Sequence, residues 1–327
     1  MFSQNFDVKN HLGLSAIKNR IKRKISFIEW FTLLIFLSLT FMLTLYQNSY
    51  IYPVDLANYI NSIGNNYEQF FYFPYWLPLF YVLEKIPLRI AWLFWSVLNI
   101  VCFWFAWRSF GGKIWSWYTA TLFFVIFYGQ ISGILAAGLA AYWIALLLGN
   151  WILIGLTALI VITKYTWGVP LVIIFGYLAG ITKRKFLLAC CIIGVILLIS
   201  FLIYPKWISD YINRYFTSPP NDQASISLWQ YFGPLSLLLW CLPFFIKVEK
   251  SKKVALLFFA TPLVVPYFQP HDLLVWFSFP LGIFPIFANI TFIILPVFGL
   301  SGLRILSILP IFFYIMVFFE NKRTQNG

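Results

Sequence analysis

The chain has 327 residues, of which 61% are hydrophobic and 22% aromatic but only 10% charged, and its mean hydropathy is +0.84. That excludes an ordinary water-soluble enzyme and predicts an all-α polytopic membrane bundle; continuous apolar runs, without period-two alternation, exclude a β-barrel. The net charge of +13 would suit a nucleic-acid binder, but the bases cluster between apolar runs, as topology signals do, so no nucleic-acid partner is expected.

Residues 1–25 are polar and carry Lys9, Lys18, Arg20, Lys22, Arg23 and Lys24; they are expected on the cytoplasmic face, with His11 a solvated side chain. Residues 26–46 suffice for one crossing. An outer loop, 47–89, follows with Asp55, Asn58, Asn61, Asn65, Asn66 and Glu68, and then FYFPYWLPLFYVLEKIPLR at 71–89. Pro74, Pro78 and Pro87 bracket a piece too short to cross, so an interfacial or re-entrant outer helix is expected there. Further spans are expected at 90–107, 114–128, 131–149, 151–163, 168–181, 186–204, 228–246, 254–267, 273–288, 290–303 and 305–319, making about 12 in one catalytic domain, 26–319. A second outer loop occupies 205–227 and a cytoplasmic tail 320–327. Cys102, Cys190, Cys191 and Cys241 all fall inside apolar spans, so neither a disulfide framework nor a thiolate metal site is expected.

Charge sets the orientation. With the N-terminus cytoplasmic, seventeen Lys and Arg fall on inner segments, notably 183–185 and 247–253, and six on outer ones: Lys85, Arg89, Lys164, Lys206, Arg214 and Arg304. Making 71–89 a crossing would turn both inner clusters outward. This orientation predicts a multi-pass cell-membrane protein with both termini inside.

The same orientation gathers polar outliers on the outer face: Asp55 after the first span, Tyr128-Gly129-Gln130 between two spans, Lys164 opening KYTWGVP, and His271-Asp272 in PYFQPHDLLVW. Ionisable groups at the edge of hydrocarbon are expensive and mark functional sites. Each has a plainer account alone: Asp55 as a solvated loop acid, Lys164 as a snorkelling lysine, Asp272 as a helix cap, Gln130 as a turn residue. Together they suit sugar transfer from a lipid phosphate. Asp55 would serve as general base toward an acceptor hydroxyl, Lys164 with Arg89 or Lys85 would hold the donor phosphate, and His271 would donate to that phosphate or orient the acceptor. Gln130, Asp272, Tyr128 and Asn58 would line the substrate. The competing class is a transporter or flippase of lipid-linked sugars, which would favour internal repeats and polar groups at the bilayer midplane. A third, a non-enzymatic assembly subunit, would not need Asp55, Lys164 and His271 to converge.

VDLANYINSI, FYFPYWLPLFYVLEKIP with RIAWLFWSVLN, YGQISGILAAGLAAYWIAL, ITKYTWGVPLVIIF, NDQASISLWQYFG and PYFQPHDLLVW, in that order over residues 55–276, resemble the polyprenyl-phosphate-sugar-dependent glycosyltransferases of the C-type membrane fold. The nearest family is that of the bacterial α-1,2-mannosyltransferases, glycosyltransferase family 87. The resemblance implies an inverting transferase that takes a monosaccharide from a polyprenyl-phosphate donor to a lipid or glycan acceptor on the outer face, among membrane lipids and with no obligate protein partner. It also implies that Asp55 is the base, that His271 lies in the active site and that Lys164 contacts the donor phosphate. The chain is shorter than most members, carries one Asp where many C-type enzymes carry a pair, and has YTWGVP as an unusual segment after the lysine. No cofactor is expected, and metal-independent transfer is favoured over use of a divalent ion.

Overall fold

The structure, a computed structural model, describes residues 12–48, 50–61, 72–217 and 224–325. Lys9, His11, Asn65, Asn66 and Glu68, with Asn221, Asp222 and Gln223 of the loop expected at 205–227, lie outside these residues. The described residues form helices and turns, with no strand among them.

A short basic helix, α1 (Leu14–Lys22), leads into α2 (Phe27–Leu45). The start of α2 is set by a capping box: the Ser26 hydroxyl accepts from the Glu29 amide at 3.3 Å, and the Glu29 carboxylate accepts from the Ser26 amide at 2.6 Å. Thr32, Phe36, Thr40 and Thr44 recur every fourth residue and form the buried stripe of α2, while Phe27, Ile28, Trp30, Phe31 and Leu34 stay exposed. Small and polar groups inward with large apolar groups outward is the pattern of a helix whose solvent is lipid. The stripe packs on α5 (Leu88–Phe110), and Thr32 shares a 2.8 Å hydrogen bond with the Tyr118 hydroxyl.

Between α2 and α5 lie α3 (Val54–Asn61), a 3₁₀ turn (Pro74–Trp76) and α4 (Leu77–Glu84). Eight residues of helix rise about 12 Å, far short of a bilayer; α4 does not cross, in keeping with the interfacial or re-entrant expectation. Beyond α5 come α6 (Ala120–Tyr128) and α7 (Ser132–Leu148), which meet at 111°. Then follow α8 (Trp151–Ile162), α9 (Tyr165–Ala179), α10 (Lys183–Ile203) and α11 (Lys206–Thr217). The last third holds α12 (Leu238–Phe245), α13 (Lys250–Val264), α14 (Leu273–Phe277), α15 (Thr291–Gly302) and α16 (Ile308–Gln325). The core is built by α5 on α7, α7 on α8, α8 on α10, and α9 and α16 on α13.

By length and composition, four helical runs among the described residues are fit to cross a membrane: α2, α5, α10 and the stretch Phe284–Phe319; the α6–α7 pair makes a fifth if taken as one broken span. Two apolar helices, α8 and α9, are shorter. This is the helix content that a helical membrane protein requires, but individual spans differ from expectation. The expected span 273–288 is not a long helix: α14 has five residues, all buried, and the chain then turns through Pro280 and Gly282 (φ 65°) into a 3₁₀ run, Phe284–Ile290. Its apolar character serves the interior, not lipid. The expected span 228–246 is likewise broken, because Gly233 takes φ 54° and Pro234 follows it, separating a single turn, Trp229–Phe232, from α12. The expected spans 290–303 and 305–319 join in one helical run that is kinked at Gly299 (φ 62°), and α16 continues to Gln325 through most of the expected tail.

Candidate functional site

The α6–α7 corner is where the site begins. Gly129 ends α6 in the left-handed region at φ 72°, and a Cβ there would come within 2.5 Å of the Leu56 Cβ. Glycine is therefore required twice, by the turn and by the close approach of α3. The α5 side chains fix the corner: Trp92 Nε1 donates to the Ile126 carbonyl at 2.8 Å and Trp95 Nε1 to the Gly129 carbonyl at 2.9 Å. Asn99 Oδ1 accepts from the Gly133 amide at 3.0 Å, closing an orphan donor at the start of α7. Gly129→Ala is expected to cost about 1–2 kcal/mol in backbone strain alone and to push α3 off the corner, read as a lower thermal midpoint in detergent.

With α3 seated, Asp55 in its first turn receives a hydrogen bond from Gln130 Nε2. Burial raises the Asp55 carboxyl to about 6, against the opposing effects of the Gln130 hydrogen bond and the Lys164 charge. Asp55 is thus a base poised near neutrality. Tyr59, one turn along α3, accepts at 2.8 Å from the Tyr72 hydroxyl. Burial first, and with it the Asp55 charge, holds both phenols protonated and well above their ordinary range; Tyr72 adds to the rise at Tyr59, whereas the hydrogen bond to Tyr59 opposes it at Tyr72.

Lys164 stands at the α8–α9 turn, whose tightness depends on Gly168 lying against the Val161 carbonyl. The 3₁₀ turn Pro74–Trp76 clamps this turn: Trp76 Nε1 donates to the Thr163 hydroxyl at 2.7 Å, and the Tyr75 hydroxyl donates to the Leu159 carbonyl at 2.7 Å. The Lys164 ammonium reaches Asp272 Oδ1 at 2.6 Å and His271 Nε2 at 3.0 Å. Both partners sit in the 3₁₀ turn Pro270–Asp272, which Ser225 and Ile226 steady by pairing with the Phe268 backbone. The Ser132 hydroxyl, at the first position of α7, donates to Asp272 Oδ1 at 3.1 Å.

The charges in this cluster balance. Burial would raise the Asp272 carboxyl, but Lys164, His271 and the Ser132 hydrogen bond together bring it below its usual range. Burial, then the Lys164 cation, lowers His271 to about 3 despite Asp272, so its imidazole is neutral at physiological pH. With Lys164 donating, Nε2 is the acceptor and Nδ1 carries the hydrogen. An ammonium has three N–H donors. Two are committed to Asp272 and His271, which leaves a third for an incoming anion.

Five of the expected residues therefore meet: Asp55, Gln130, Lys164, His271 and Asp272. Tyr128, half-buried at the end of α6, lies close enough to feel the Asp55 charge. Asn58, half-buried, sits three residues along α3 from Asp55, on the same side of that helix. The contacts of Arg89 and Lys85 lie elsewhere. Arg89 donates to the Gln47 carbonyl at 3.3 Å, and Lys85 pairs with Glu84 at 3.5 Å and lies over the Tyr81 ring. Sequence reasoning passed over Ser132, Tyr59 and Tyr72; the hydroxyl two residues after Gln130, at a helix start, was the one available signal. Among the described residues no group of three or more His, Cys, Asp or Glu is arranged to hold a metal ion. Comparison with known proteins gives no match: no family model fits the chain, and neither a curated protein nor a solved structure is similar to it.

Proposed function

We propose that the chain is an inverting membrane glycosyltransferase that moves a mannose-like monosaccharide from a polyprenyl-phosphate donor to a hydroxyl of a lipid or glycan acceptor. The observation that carries this reading is the meeting of Lys164 with His271 and Asp272, more than a hundred residues apart in sequence, beside a carboxylate whose proton affinity suits a general base. The acceptor O–H attacks the anomeric carbon and Asp55 takes its proton. The bond from that carbon to the phosphate oxygen breaks with inversion, and polyprenyl phosphate leaves with the electron pair. Lys164, with its third N–H, meets the charge growing on the leaving oxygen, the role that a divalent ion would otherwise fill. Gln130 and His271 position the acceptor.

The finer architecture belongs to the same proposal: the C-type fold, about 12 crossings, both termini cytoplasmic, and the site on the outer face of the cell membrane. The motif order over residues 55–276 supports it. Protein reconstituted in liposomes with a polyprenyl-phosphate sugar and a lipid acceptor tests the activity. The expected result is sugar transfer that a chelator leaves unchanged. Movement of the donor between leaflets without transfer would assign a flippase instead, and loss of transfer with chelator would replace Lys164 by a metal in the charge role.

A further inference from the structure

The end of α9 away from Lys164 carries a second concentration of charge. α9 has 15 residues, so about 22 Å of helix axis separates Lys164 from Gly180. There the fold brings together two basic stretches that are far apart in sequence. Lys183, Arg184 and Lys185 open α10 and are all exposed, while Lys250, also exposed, and Lys253 open α13. α13 packs on α9, and the Lys250 ammonium stands over the Tyr177 ring at 4.8 Å, where a Cβ on Gly180 would lie 3.9 Å from it. The Lys185 ammonium lies beside Gly149, at the C-terminal end of α7.

Glu249, exposed, is the one carboxylate in residues 183–187 and 244–253. The ion pairs among the described residues include none of Lys183, Arg184, Lys185, Lys250 and Lys253. The surface next to these charges is apolar and open. Phe186, Leu187, Phe244 and Phe245 are exposed, the last by 84%, and Lys253 stands over the Phe244 ring at 5.2 Å. Leu198 and Leu202, exposed by 59% and 72%, continue the open flank along α10. A cationic head above an apolar flank matches a molecule that is anionic at one end and apolar along the rest. A soluble polyanion would answer the charge and leave the flank uncovered; a zwitterionic lipid would cover the flank and leave the charge unanswered. An anionic phospholipid does both.

We infer that this end of the bundle holds an anionic phospholipid, with its headgroup on Lys183, Arg184 and Lys250 and its acyl chains along the open flank of α10. The site is independent of the proposed transfer chemistry. Lys250 and Lys185 also touch the ends of α9 and α7; Lys183 and Arg184 are therefore the charges to remove.

The test uses the full chain in non-ionic detergent, wild type beside a Lys183→Gln/Arg184→Gln variant and a Lys206→Gln control, whose exposed lysine follows the other end of α10. Bound lipid is counted by native mass spectrometry during titration with phosphatidylglycerol, phosphatidylcholine or glycerophosphate. Wild type is expected to hold phosphatidylglycerol in preference to phosphatidylcholine and to leave glycerophosphate unbound. The double variant should bind phosphatidylglycerol about 30-fold more weakly, two basic charges' worth of attraction, and the control should match wild type. An unchanged thermal midpoint without lipid would show that the double variant is folded. Equal binding by wild type and double variant, equal retention of phosphatidylcholine, an equal response to glycerophosphate, or as large a loss in the control would overturn the proposal. Should the double variant fail to fold, Arg184→Gln alone is expected to show a loss of about fivefold, and no loss there would equally overturn it.

Discussion

Asp55→Asn is expected to slow transfer by about 10²–10⁴-fold, the usual worth of a general base, while leaving the protein folded. The carboxamide keeps an oxygen to accept the Gln130 hydrogen bond and gives up only the ability to take a proton. The pH dependence makes the prediction specific. With the carboxyl raised to about 6, the wild-type rate should climb about tenfold per pH unit below 6 and level off above it. Stability runs the other way. The folded state holds the Asp55 proton more tightly than the unfolded chain, where a carboxylate titrates near 4. Its contribution is therefore fully present below about pH 4 and is lost as the pH rises through 6. Asparagine has no charge to bury, so the variant should match wild type at pH 4 and exceed it at pH 8, by up to about 3 kcal/mol. Thermal melts and initial rates across pH 4–9 measure both. A variant that transfers at the wild-type rate would remove Asp55 from the reaction.

Lys164→Ala carries the largest expected cost in stability, about 3–5 kcal/mol, because it strips a buried carboxylate of its counter-charge. Asp272 would keep only the Ser132 hydroxyl at 3.1 Å, and the His271 Nε2 would lose its donor. The pH signature follows from the two shifts. Asp272, held below the usual carboxylate range, contributes stability that is present above about pH 4 and is lost on acidification. His271, lowered to about 3, contributes stability that is present above about 6.5 and declines as the pH falls. Lys164→Ala should remove most of the Asp272 advantage at neutral pH. A Lys164→Met/Asp272→Asn double variant removes both charges of this buried pair and should regain most of the loss in chemical unfolding. That variant also separates two roles of the lysine. Stable but unable to bind a polyprenyl-phosphate sugar, it would confirm the phosphate contact; stable and fully active, it would reduce the triad to scaffolding.

The meeting of Asp55, Gln130, Lys164, His271 and Asp272 was legible because ionisable residues are rare in so apolar a chain, and each stood at the end of an apolar run. Counting basic clusters drew into one argument five residues that the structure places close together. Arg89 and Lys85 show the limit: position near an outer loop says nothing about where a long flexible side chain points. Span counting is less informative for a physical reason. Hydropathy measures dislike of water, and Leu273 to Phe277 satisfy it inside the protein while α10 satisfies it in lipid. Gly233, Pro280 and Gly282 carried the missing information as helix breakers, but breakers inside apolar runs are also common in true spans. Trp95 and Asn99 were invisible for the opposite reason, since an indole or amide bound to a neighbouring helix's backbone looks like any other side chain of an apolar helix.

The Gln130 side chain has one further consequence. Its Nε2 is committed to Asp55, yet its own carbonyl oxygen, Oε1, is buried without any hydrogen-bond partner. Dehydrating an acceptor and leaving it empty costs about 1–3 kcal/mol. A visitor that brings an O–H to that atom regains the loss, whereas one lacking the group leaves it standing, which is how a built-in vacancy turns into selectivity among otherwise equal ligands.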